Sequence, residues 1–160
     1  MHSPQRGGHT TEDEDRRKTS VGAVVASLSQ LSIAATQRYA DLYTASTIRA
    51  FPEHVRDHIL RALDKSDQIE KLGEYKAWHP NDQLWCHEHY AADGQQRLGL
   101  WWHPNGNRWR EESYDEQGRK HGVARWWHPN GQLRIEVRYE AGREVEGTYR
   151  SWTQSGNLIT

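Results

Sequence analysis

The 160-residue chain has one cysteine, Cys86, one methionine and one phenylalanine, Phe51. A lone cysteine excludes an internal disulfide and any zinc site built on cysteine pairs, and makes a reducing, cytoplasmic setting the simpler expectation. An excess of either charge is also missing, since 21 Lys and Arg face 22 Asp and Glu. Division at Leu72 leaves both halves balanced, so neither carries the basic footprint that nucleic-acid binding needs. Long apolar runs are absent too. Thr19–Gln37 carries no charge, but Ser, Thr and Gln interrupt it too often for a membrane span. The basic triplet Arg16-Arg17-Lys18 is followed by an apolar run, Val21–Ala26, that is short for a signal peptide. Nucleic acid and membrane are therefore not expected as partners.

The chain is rich in large amphipathic rings, with eight Trp and seven Tyr although only 34% of residues are apolar. Such a composition suits thin, half-exposed sheets better than a thick core. Residues 1–20 mix His, Gly and the charge block EDEDRRK and read as a solvated tail. Residues 21–72 have helical spacing. Val21, Val24, Val25, Leu28, Leu31 and Ala35 share one face. Pro52 then opens a second helix whose stripe is Val55, Ile59, Leu63, Ile69 and Leu72, ended by Gly73. Residues 73–160 change rhythm: Trp78, Trp102, Trp127 and Trp152 are 24, 25 and 25 residues apart, the mark of an array. Tyr90, Tyr114 and Tyr139 recur with the same period, each followed by a Gly.

At each Trp the chain repeats a phrase: AWHPND, WWHPNG twice, and the degenerate SWTQSG. His-Pro-Asn-Gly has the residue order of a type I turn closed by a left-handed glycine. It predicts a hairpin in which His128 faces Gln132, Trp127 pairs with Leu133 and Trp126 with Arg134. One face then carries Val123, Trp127, Leu133, Ile135, Val137 and Tyr139 and should be buried. The other carries Ala124, Trp126, His128, Arg134, Glu136 and Arg138. The same register pairs Trp101 with Trp109 and Ala77 with Trp85, leaving Trp85, Trp101, Trp109 and Trp126, with Arg134, on an outward ridge. Exposed rings among polar groups mark a partner surface. Cross-strand aromatic pairs that merely stiffen the sheet are the competing explanation. The second unit does not obey the scheme, because Arg108, Arg110 and Glu112 fall on its nominally buried face.

Candidate chemistry is sparse. His87 and His89 share a strand face, but the repeat copies at those places are Glu111 and Ser113, then Glu136 and Arg138. With no third ligand in view, no metal site and no cofactor is assigned. His79, His103 and His128 sit at hairpin corners and read as turn residues whose rings stack on neighbours. No nucleophile elbow or phosphate loop falls at a strand–helix junction, so an enzyme is not expected.

Gly122, Trp127, Pro129–Gly131, Leu133, Tyr139 and Gly142-Arg143, echoed by Gly99, Trp102, Pro104–Gly106, Tyr114 and Gly118-Arg119, resemble the MORN-repeat variant. That unit builds YwqK-type bacterial antitoxins and repeat proteins of large DNA viruses. The resemblance implies a non-catalytic scaffold that binds a protein partner, and for the bacterial members a toxin. Asp82, Arg108 and the Pro-less TQSG depart from the pattern, which marks the first and last units as caps. MORN proteins of the membrane-associated type use a basic stripe that this array lacks. The stretch Phe51–Leu60 resembles the start of an F-box helix, and with Ser27–Ala35 a SOCS box. That likeness implies docking to a ubiquitin-ligase adaptor through Leu28, Leu31, Phe51, Pro52 and Val55. A helical hairpin that caps the sheet is the simpler alternative. The expected fold is mainly β with an N-terminal α segment, an antiparallel meander sheet of four repeated hairpins. The expected role is a binding scaffold whose protein partner and oligomeric state the letters do not name.

Overall fold

The structure, a computed structural model, describes residues 31–32, 35–36 and 42–159. Helix α1 spans Ala45–Ala50, α2 Glu53–Ala62 and α3 Lys65–Leu72. Eight strands follow: β1 Glu74–Trp78, β2 Leu84–Tyr90, β3 Gln96–Trp102, β4 Arg108–Ser113, β5 Gly122–Trp127, β6 Leu133–Glu140, β7 Arg143–Glu144 and β8 Arg150–Ser151. All pairings are antiparallel and run in chain order from β1 to β7, with β8 also paired to β6. The meander expected from the repeat is therefore present. Its last unit is abbreviated, since β7 and β8 share β6 as partner and Trp152 meets Leu158 only as an isolated bridge.

The chain forms two compact units, residues 1–62 and 63–160. In the first, Thr44 caps α1 by accepting from Thr47 N at 3.3 Å. Pro52 precedes α2, where its missing N–H leaves no gap in the ladder. Ile48, Val55, Ile59 and Leu60 are fully buried. The single helix expected from Pro52 to Leu72 is broken, because Asp64 takes an extended conformation and its carboxylate accepts from Asp67 N at 2.9 Å. A fresh N-cap there starts a second helix. Gly73, at φ 68°, ends it as expected. Helix α3 belongs to the unit that begins at Leu63, and the chain passes from helix to strand at Gly73. Among the described residues no helix is long and apolar enough to cross a membrane.

Helix α3 also protects the first sheet edge. Gln68, 2% exposed, accepts from Lys76 N at 2.8 Å and donates to Lys76 O at 3.3 Å. One side-chain amide thus supplies β1 with pairing that a second strand neighbour would give, which blunts an edge open to aggregation.

The bends follow the sequence expectation. His79, His103 and His128 N–H groups donate to the carbonyls of Gln83, Asn107 and Gln132, each at 2.8 Å. The left-handed fourth position is filled by Gly106 at φ 84° and Gly131 at φ 86°. Asp82 holds φ 65° in the degenerate copy, a conformation Asp tolerates better than most residues.

The register beyond the bend differs from expectation. Trp127 does pair with Leu133, but Trp126 pairs with Ile135, leaving Arg134 as an extra residue. The same bulge falls at Trp85, between Leu84 and Cys86, and at Trp109, between Arg108 and Arg110. One extra residue reverses the side on which the rest of a strand points. The buried face of the third unit therefore carries Ala124, Trp126, Ile135, Val137 and Tyr139, while Val123 goes to the other side with Arg125, Glu136 and Arg138. Ala124 and Val137 are 3% and 2% exposed, as an inner face requires.

Candidate functional site

The bulges bring one transverse row into register across the sheet: Ala77, Cys86, Trp101, Arg110, Trp126, Ile135 and Ser151. At its centre the Arg110 guanidinium lies 4.6 Å from the Trp101 ring and 6.0 Å from the Trp126 ring. Such stacking favours the charged head because the ring faces are electron-rich. Trp101 lies flat because the row behind it holds Gly99, where an added Cβ would stand 2.1 Å from the Trp101 ring. Ala124 occupies the matching place behind Trp126. Small residue and Trp, two apart on one strand, thus pack as a unit.

The adjacent row contains Tyr75, Glu88, Gly99 and Glu112. Glu112 is fully buried. It accepts from the Arg110 guanidinium and from the Tyr114 hydroxyl at 2.8 Å, and pairs with Lys120 at 2.8 Å. Burial works to raise its pKa, but the bonds from Arg110, Lys120 and Tyr114 together hold the carboxyl below its ordinary range. Burial, aided by Glu112, pushes the Tyr114 phenol up. Glu88 repeats the arrangement with Lys65 Nζ at 2.7 Å and the Tyr90 hydroxyl at 2.6 Å. Lys120 also stands 5.1 Å from the Tyr139 ring and 5.8 Å from Trp126. This is where the second unit departed from the sequence scheme. Arg110 and Glu112 lie inward as an ionic cluster, and Arg108 replaces the usual leucine by stacking 4.7 Å from Trp102. Burial, then the Glu88 charge, pushes the Cys86 thiol up to about 12.

The expected outward ridge is thus redistributed. Trp101 and Trp126 come together on the inner face around Arg110, and Trp101 is only 8% exposed. Trp85, Trp109 and Arg134 occupy the bulges. Trp85 is 40% exposed, and Trp109 meets the His103 ring at 6.2 Å. Of the adaptor residues, Leu28 lies outside the described residues and Leu31 is half-buried. Pro52 is exposed, whereas Phe51 is buried against Tyr43 at 5.8 Å and Val55 is fully buried. The last two present no surface for docking.

The phrase histidines do something that spacing did not reveal. His79 Nε2 donates to the Trp102 carbonyl at 2.9 Å, His103 Nε2 to Trp127 at 3.1 Å and His128 Nε2 to Trp152 at 3.0 Å. A carbonyl only accepts, so each ring carries its proton on Nε2. The asparagines run in parallel: Asn81, Asn105 and Asn130 donate to the carbonyls of Pro104, Pro129 and Gln154 at 2.7, 2.6 and 2.8 Å. Each Asn also accepts from the backbone N–H two residues on, which holds its own bend. The phrase is therefore a staple that joins every bend to the next. In the fourth copy Thr153 and Ser155 replace His and Asn and bond to each other at 2.9 Å.

On the sheet's other side Glu74 and His89 are cross-strand partners, with His87 diagonal to Glu74 at 2.5 Å. The hydrogen bond to His87 holds the Glu74 carboxyl below its ordinary range, while burial and then the His87 charge lower His89. Glu74 is the third convergent group that the sequence did not show.

Residues 71–92 and 120–141 match the MORN repeat variant. These segments span β1–β2 and β5–β6, the first and third hairpin units. No curated protein sequence matches the chain. The match is confined to these two segments, and the second unit, which lies between them, carries the same bend, bulge and staple.

Proposed function

We propose that the chain is a non-catalytic scaffold that docks a protein partner on the inner face of its sheet, around Trp126, Lys120 and Tyr139. The observation that carries this reading is the half-buried Trp126 ring with Arg110 at 6.0 Å and Lys120 at 5.8 Å from its centre, and Tyr139 at 5.1 Å from the same ammonium. Rings immobilised before binding lose little entropy on contact, and Trp, Tyr and Arg dominate interface energetics. The MORN repeat match supports a scaffold role. In the finer form of the proposal the partner is an enzyme held inactive, as the antitoxin resemblance implies. The adaptor alternative loses support, since Phe51 and Val55 are buried.

The test compares capture of partners by the intact chain, by Lys120→Glu with Trp126→Ala, and by Trp85→Ala. The proposal expects the first variant to lose the captured protein and the second to keep it. Loss with Trp85→Ala alone would move the docking site to the bulge side.

A further inference from the structure

We propose that Glu74, His87 and His89 form a binding site for one divalent transition-metal ion of the zinc, nickel and copper class. One ligand atom from each of the three lies within 4.8 Å of the other two. The side chains come from two strands, Glu74 from β1 and the histidines from β2, and Glu74 sits directly opposite His89. His87 and Glu74 have side-chain exposures of 19% and 21%, half-sheltered yet reachable from solvent. The His87 and His89 rings are 4.1 Å apart by centroid.

Two imidazoles and a carboxylate select first-row transition metals over calcium or magnesium, which prefer all-oxygen shells. Zinc bonds of about 2.0–2.1 Å place tetrahedral ligands roughly 3.4 Å apart, so the three atoms need draw in by about 1.4 Å at most. Small rotamer adjustments cover that distance. The ion would take the place of the proton that now lies between His87 Nε2 and Glu74, and water would fill the open coordination position. Repeat geometry does not demand these residues, because the equivalent places in later units hold Glu111 with Ser113 and Glu136 with Arg138. Lys76 shares the face with Glu74 and weakens the attraction, which points to a modest rather than tight site. A bound ion would clasp the open end of the first hairpin beside Gly73.

The test uses the untagged full chain at neutral pH, titrated with Co²⁺ and read by its visible absorption, with Zn²⁺ as competitor. The proposal expects a one-to-one complex that Zn²⁺ displaces. Affinity should fall at least about tenfold in His87→Gln and in His89→Gln, less in Glu74→Gln, and not at all in His121→Gln. Circular dichroism confirms that each variant is folded. Should a histidine variant unfold, paramagnetic broadening by Co²⁺ in the wild-type NMR spectrum replaces it, and it should centre on residues 74, 87 and 89. An isotherm unchanged in both histidine variants, broadening centred elsewhere, or no complex at millimolar Co²⁺ overturns the proposal.

Discussion

Replacing Glu112 by valine tests how the inner face is balanced. Three units fill the same two inward places differently: Cys86 with Glu88, Arg110 with Glu112, and Ile135 with Val137. Glu112→Val alone strands Arg110 and Lys120, whose side chains are 28% and 34% exposed. Removing one partner of a buried pair costs about 3–5 kcal/mol. Both cations can turn partly to water, so we expect the low end, about 3 kcal/mol. The double variant Arg110→Ile with Glu112→Val copies the third unit and should recover about 2 kcal/mol of that loss, less the cation–π contacts to Trp101 and Trp126. Urea unfolding followed by tryptophan fluorescence reads this well, because all eight Trp lie in the strand-bearing half. The pH dependence has a definite sign. A folded carboxyl held below its unfolded value, about 4.3 for Glu, stabilises fully above that value and loses its contribution as pH falls through the folded pKa. The wild-type advantage over Glu112→Val should therefore be flat from neutral pH to about pH 5 and decline below it. A double variant as unstable as the single one, or an advantage that grows in acid, would refute the reasoning.

Gly99→Ala should push the Trp101 ring off its seat, costing about 1–3 kcal/mol and shifting the emission spectrum. His103→Ala and Asn81→Ala should each lower stability by about 1 kcal/mol in the same urea assay, since each removes a side-chain donor from a carbonyl of the next bend. Cys86, with its thiol pushed up to about 12, should resist thiol reagents at pH 8 in the folded chain and react at once in urea. Rapid labelling without denaturant would contradict the buried placement of that row.

Much of the architecture was legible because it is written in short-range chemistry. Pro-Asn-Gly specifies the bend, the Trp period specifies the unit, and Gly73 ends the last helix. The helix break at Asp64 was also written locally, in the spacing of Asp64 and Asp67, but the apolar stripe on both sides masked it. The bulge was not legible, because it follows an intact Trp–Leu pair and needs no glycine. Its trace is indirect: two adjacent Trp cannot share a face, and Arg110 with Glu112 contradicts an unbulged strand. Reading those misfits as a displaced register, rather than as a poorly covered unit, would have turned Trp101 and Trp126 inward. The staple escaped for a different reason. Its donors and acceptors are about 24 residues apart, and only the folded register brings a corner histidine to the neighbouring bend. Glu74 was missed likewise, as its partners lie on the opposite strand.

The stapled array is the claim on which the scaffold reading depends, and nitrogen NMR of the histidine side chains tests it most directly. At neutral pH His79, His103 and His128 should all show a protonated Nε2 whose hydrogen exchanges slowly and lies close to the next unit's bend. An unprotonated Nε2 in any of the three would mean that the corresponding bends are not joined.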